Sequence, residues 1–139
     1  MYILKCSAAF DSAHFLAGYS GKCANLHGHH WVVEAETGSE ALLAEGEKRG
    51  MVMDFGDLKA VLRALADSYD HALIYESGTL KPATLAALEA EQFRLIEVPY
   101  RPTAENFARA FFEALSAQKI PVLRVRVYET PDNCACYEV

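Results

Sequence analysis

Residues 29 to 37 read HHWVVEAET, and in them Trp31, Val33 and Ala35 alternate with Val32, Glu34 and Glu36. An extended chain sends successive side chains to opposite faces, so this period of two predicts a strand with one apolar and one polar face. Such a strand needs a partner of the same kind. Residues 2 to 10, YILKCSAAF, supply it: Tyr2, Leu4, Cys6, Ala8 and Phe10 fall on one side, Lys5 and Ser7 on the other. That strand is expected to run on toward His14, which makes GYSGKCANLHG, residues 18 to 28, the long connection between two antiparallel strands.

Beyond this pair the pattern changes. GMVMDF, residues 50 to 55, reads as a short extended piece ending at Asp54, a helix cap with Asp57 in the first turn after it. Phe55, Leu58, Val61, Leu62, Leu65 and Tyr69 follow at helical spacing. Residues 79 to 92, TLKPATLAALEAEQ, predict a short helix starting after Pro82, and FRLIEVP an extended segment. RPTAENFARAFFEALSAQ opens a second long helix, capped by Thr103 and burying Ala104, Phe107, Ala108, Phe111 and Leu115. VLRVRVYET and CACYEV, divided by the turn PDN, are the closing strands. Strands at both ends with helices between them predict an α+β domain, its two main helices on one face of an antiparallel sheet. The other face must meet solvent or another subunit.

The whole chain, residues 1 to 139, is expected to be one domain, with neither repeat nor linker to divide it. Its 52% hydrophobic and 23% charged residues suit a globular core without disulfide staples. A net charge of -6 and a pI near 5.3 argue against general attraction to nucleic acid or an anionic membrane. The N-terminus lacks the basic and apolar regions of a signal peptide, and no apolar run is long enough for a membrane span. Cys6, Cys23, Cys134 and Cys136 are therefore expected as free thiols in the cytoplasm.

Chemistry concentrates where the first two strands end. His27 and His29 point to one side of an extended segment and His30 to the other, while Gly28 leaves the approach uncrowded. His14, at the end of the neighbouring strand, brings a third nitrogen. Three imidazoles suit zinc with a fourth position open, as Lewis-acid chemistry requires. A half-buried, hydrogen-bonded histidine is the simpler account of His14 alone, and a structural role is the better one for His30.

Cys23 stands four residues before His27, near enough to share the pocket, where a cation would favour its thiolate. On composition alone it would be a small apolar or chance loop residue, and it is its neighbourhood that favours a working thiol. Asp70 and His71 could act together on a thiol brought from elsewhere, but neighbours in regular structure do not easily hydrogen-bond each other; a polar patch at a helix C-terminus is the plainer reading. Cys134 and Cys136 have CxC spacing, for which packing is the better account than zinc. Glu129 ends the apolar face of its strand, either as a solvent group or as an anchor for paired N–H donors.

Taken together, FDSAHF, CANLHGHHW, MDFGDLK, YDHAL, RPTAENF and VYET resemble the 6-pyruvoyltetrahydropterin synthase superfamily along nearly the whole chain. The CxxxHGH spacing from Cys23 to His29 resembles the branch that makes 6-carboxytetrahydropterin for queuosine biosynthesis. The resemblance implies zinc on His14, His27 and His29, Cys23 as catalytic base, Asp70 and His71 as its proton relay, and Glu129 holding the pterin ring. It implies the tunnelling fold, in which sheets of several subunits join into a barrel, commonly a hexamer, with active sites shared between neighbours. The implied reaction is zinc-dependent conversion of 7,8-dihydroneopterin triphosphate with loss of acetaldehyde and triphosphate. Lys22 is the cation beside Cys23 available to the triphosphate. A sister enzyme making 6-pyruvoyltetrahydropterin, a metal-free cysteine hydrolase and a non-catalytic zinc-binding module are the competing readings. Two departures from the family pattern stand out: Tyr69, where many members have leucine, and a longer insert over residues 75 to 98.

Overall fold

The two alternating runs pair with each other. In a computed structural model that describes residues 1–139, β1 (Tyr2–His14) lies antiparallel to β2 (His27–Ser39). Tyr2 sits opposite Ser39, Phe10 opposite Trp31 and His14 opposite His27. Because the side-chain period is two, this register sends Cys6, Phe10, Ser12 and His14 to the same face as His27, His29, Trp31, Val33 and Ala35.

Four further strands complete one sheet: β3 (Ala72–Glu76), β4 (Leu95–Val98), β5 (Val122–Thr130) and β6 (Asn133–Glu138), in the order β4-β3-β1-β2-β5-β6. The expectation of an antiparallel sheet holds for β1, β2, β5 and β6 only. β3 runs parallel to β1, and β4 parallel to β3. Parallel neighbours need a crossover. Here α2 (Pro82–Ala90), the short helix expected after Pro82, carries the chain from β3 to β4.

GMVMDF does not pair into the sheet. Asp54 keeps an extended backbone, but as the cap of α1 (Phe55–Asp67), where its carboxylate accepts from the Gly56 N–H at 2.6 Å. Met53 packs on the core instead. Thr103 caps α3 (Ala104–Ala117) by accepting from the Asn106 N–H. Leu58, Leu62 and Ala66 of α1 are buried, as are Phe107, Ala108, Phe111, Phe112 and Leu115 of α3, all in the cluster that covers the inner sheet face. Phe55, expected on that face, is 55% exposed because it begins the helix at its outer edge. α2 buries no residue.

The centre of the core is aromatic. Phe10 stacks against Trp31 and Phe111, and Phe107 meets Phe10 and Trp31 edge-on. Tyr69 belongs to this packing, touching Phe10, Phe107 and Phe111. Burial, reinforced by its hydrogen-bonded neighbour Tyr69, pushes the Tyr100 phenol well above its ordinary value. The histidines lie where this apolar face reaches the sheet's end, so the core forms the floor beneath them.

The outer face carries charge. Lys5 pairs with Glu34 at 2.7 Å, Arg124 with Glu36 at 3.1 Å, and Arg126 with the same Glu36. His30 lies on this side, 2.8 Å from Asp11, as its place in the alternation requires.

Candidate metal centre

The cross-strand pair His14 and His27 defines the site. His14 Nδ1 donates to the Pro102 carbonyl at 2.7 Å, and His27 Nδ1 to the Asn25 carbonyl at 2.6 Å. A carbonyl can only accept, so each ring carries a proton on Nδ1, and as a neutral imidazole it presents its lone pair at Nε2. Those two Nε2 atoms face each other 3.1 Å apart. In the neutral form that ligates metal, neither ring would have a proton to give the other there, so two lone pairs would be directed at common space. A cation in that space would satisfy both.

His29 joins them. Its ring stands 4.8 Å from that of His27 and 5.1 Å from that of His14, centroid to centroid. Its Nε2 is buried with no hydrogen-bond partner, although Glu129 Oε1 is only 2.9 Å away. The carboxylate is close but out of line, so proximity here is not a formed hydrogen bond. Ligand atoms of His14, His27, His29 and Glu129 all lie within 4.8 Å of one another, a group able to hold a metal ion. Trp31 supports it from below, edge-on to both His14 and His29.

Burial favours the neutral form of two of these rings. It pushes His14 below the ordinary imidazole value against the opposing pull of the Pro102 carbonyl. It does the same to His29, opposed by Glu129. Neutral imidazole is the form that ligates metal.

Asp70 and His71 do hydrogen-bond each other, His71 Nδ1 donating to Asp70 Oδ2 at 2.7 Å. The backbone makes this contact between neighbours possible: His71 has φ 52°, in the left-handed region, so the pair lies outside regular helix or strand. β1 holds the turn in place. The Asp11 N–H donates to Asp70 Oδ1 at 2.8 Å, and the His71 N–H to the Asp11 carbonyl at 2.7 Å. The Asp11 amide, and then His71, hold the Asp70 carboxyl below the usual carboxylate range. The His71 side chain is 79% exposed. It lines, with His29, a cavity of about 660 Å³ whose walls include Leu88, Phe93 and Arg94.

Cys23 is not brought to this group. It lies half-buried in a 3-10 turn over Lys22–Ala24, its carbonyl accepting from the Leu16 N–H, and it lines neither cavity that reaches His29. Lys22 is exposed in the same turn. Within one chain, therefore, the three histidines and Glu129 converge, and His71 shares a cavity with His29, while the thiol lies outside both groupings.

The family profile described as 6-pyruvoyl tetrahydropterin synthase matches residues 3–139. The chain belongs to this family. It is 35% identical over 141 residues to a protein of Haemophilus influenzae named 6-carboxy-5,6,7,8-tetrahydropterin synthase, covering 99% of both chains. A protein of the same name from Rickettsia bellii is 31% identical over 140 residues, covering 95% of this chain and 97% of its own. In fold it is similar to an uncharacterized protein of Wolinella succinogenes, with a TM-score of 0.78, 21% identity and 99% of both chains covered. The 6-pyruvoyl tetrahydropterin synthase of Caenorhabditis elegans superposes with a TM-score of 0.68 at 22% identity, over 99% of this chain and 95% of that one.

In this member of the family, several groups at the site lie beyond a reading of side-chain types. The carbonyls of Pro102 and Asn25 decide which nitrogen of His14 and His27 faces the others, and a backbone carbonyl leaves no mark in sequence. Glu129 is brought beside His29 by the register of β2 against β5, which residue types alone do not give. Val32 pairs with Tyr128, so the residue after Tyr128 continues beside Trp31 toward His29.

Proposed function

We propose that this chain is a zinc-dependent 6-carboxytetrahydropterin synthase, a carbon–carbon lyase acting on 7,8-dihydroneopterin triphosphate with release of acetaldehyde and triphosphate in queuosine biosynthesis. The observation that carries this reading is the convergence of three imidazoles, two of them with opposed Nε2 atoms, in a chain of this family. The CxxxHGH spacing and the names of its relatives favour the carboxy product over the pyruvoyl one.

His14, His27 and His29 would hold the ion, with the Pro102 and Asn25 carbonyls keeping the first two rings in the ligating tautomer. Bound zinc supplies a Lewis acid for the hydroxyls of the substrate side chain. Glu129 accepts two parallel hydrogen bonds from the 2-amino group and ring N–H of the pterin, fixing its orientation. The Cys23 thiolate moves protons on the side chain, and His71, oriented by Asp70, exchanges them as the carbon–carbon bond breaks. Lys22 meets the triphosphate.

Cys23 does not line the cavity that His29 and His71 share, which supports a site shared between copies. His71 projects into solvent, and the outer sheet face and the edges β4 and β6 have no partner within the chain. We assign each chain one domain acting within a homo-oligomeric barrel, a hexamer by the family pattern. Four free cysteines suit the cytoplasm as its compartment. No helix is long and apolar enough to cross a membrane.

The test is product identification. Metal-loaded protein incubated with dihydroneopterin triphosphate should yield 6-carboxytetrahydropterin by mass spectrometry. 6-Pyruvoyltetrahydropterin as the sole product would move the chain to the sister reaction, and unchanged substrate would sink the proposal.

A further inference from the structure

The insert between β3 and β4 carries Arg94, whose side chain turns back onto the end of α1. Its Nη1 donates to the carbonyls of Asp70 at 2.6 Å and Asp67 at 3.4 Å, and its Nη2 to that of Ser68 at 2.7 Å. The last carbonyls of a helix lack partners and carry partial negative charge, and α1 has no basic residue in its own last turn. A guanidinium from another element fills that role here.

One of its acceptors has a particular position. The Asp70 carbonyl belongs to the peptide group joining Asp70 to His71. Arg94 holds the oxygen of that group while the Asp11 carbonyl takes its N–H at 2.7 Å. The peptide plane is thereby fixed at both ends. Directly after it His71 adopts φ 52°, in the left-handed region that is strained for a non-glycine residue, which the surrounding bonds must hold in place. The backbone of Arg94 is anchored as well, its carbonyl accepting from the Leu73 N–H at 3.0 Å, two residues past His71.

We propose that Arg94 is a positioning residue for the Asp70–His71 pair, and that the insert serves to deliver it. The guanidinium bonds to backbone carbonyls and not to the imidazole or the Asp70 carboxylate; it sets the peptide plane from which the two side chains meet at 2.7 Å. Lysine would be a poor replacement, since a single ammonium cannot span three carbonyls in the fixed fork of a guanidinium. The catalytic consequence rests on the reading above, in which His71 exchanges protons with the substrate.

Two readouts on the metal-loaded protein test it: turnover of dihydroneopterin triphosphate, and ¹⁵N chemical shifts of the imidazoles. In Arg94→Met, kcat should fall about 10- to 100-fold with KM within about twofold, the pattern of a misplaced group. The His71 signals should move from a fixed Nδ1–H form to a mixture of tautomers, while those of the other four of the five histidines stay in place. Arg94→Lys should fall between wild type and Arg94→Met on both measures. Wild-type kcat and His71 signals in Arg94→Met would overturn the proposal, as would a loss in which all the histidine signals shift together. If Arg94→Met does not fold, Arg94→Lys decides in its place, and wild-type values there overturn it. Absence of turnover in the wild type would remove the functional reading alone; the His71 shifts would still decide whether Arg94 positions the pair.

Discussion

The Nε2 atoms of His14 and His27 face each other at 3.1 Å, while both Nδ1 protons are given to backbone carbonyls, those of Pro102 and Asn25. Two acceptors so placed repel unless something positive stands between them. Metal binding is therefore expected to stabilise the fold as well as to enable the chemistry. A chelator should lower Tm, since ligand held only by the folded state adds stability by mass action. His27→Ala should lose both metal and activity and show no chelator effect on Tm; a full metal complement in that variant would remove His27 from the ligand set.

Stability of the metal-free protein should decline on mild acidification. Burial places the folded-state values of His14 and His29 below the ordinary imidazole value of about 6.5, so the unfolded chain binds more protons as pH falls past that point. Their contribution is fully present above about pH 6.5 and is lost as pH falls through the lowered values. The urea midpoint should drop between pH 7.5 and 5.5, above the range where ordinary carboxylates titrate, near pH 4. A midpoint unchanged over that interval, or an identical drop in His14→Ala, would contradict this.

Cys23→Ala should keep its metal, because the thiol lies outside the converging group. Turnover of dihydroneopterin triphosphate should nevertheless fall by about 100-fold or more, the usual worth of a positioned base. Full turnover in the metal-loaded variant would take the thiol out of the mechanism.

Glu129→Gln tests whether the carboxylate serves the pterin or the metal. Charge-assisted hydrogen bonds of about 1.5–3 kcal/mol would be weakened, so KM should rise roughly tenfold or more with metal content unchanged. Loss of metal in place of a rise in KM would make Glu129 a ligand, consistent with its 2.9 Å approach to His29.

How much of this could be read in advance differs from element to element. The alternation in β1 and β2 leads directly to their pairing, because one apolar and one polar face leave a strand little choice of orientation. The caps Asp54 and Thr103 marked both long helices for the same local reason. FRLIEVP read correctly as extended, yet its parallel place at the sheet edge was hidden, since pairing partners are chosen by the crossover through α2 and not by the strand's own pattern. GMVMDF failed in the other direction: its apolar residues serve a loop that packs on the core without ladder bonds.

The sequence by itself determined that His14, His27 and His29 share one face and one end of a strand pair, that His30 is excluded from it, and that Cys23 sits nearby in the chain. Residue spacing suffices there because backbone geometry repeats every two residues. Only the tertiary structure decided which ring nitrogens converge, that Glu129 joins them, and that a left-handed residue lets Asp70 meet His71 under the hold of Asp11 and Arg94. Most of those contacts depend on groups dozens of residues apart in the chain, several through backbone carbonyls identical in every residue, so no local pattern can announce them.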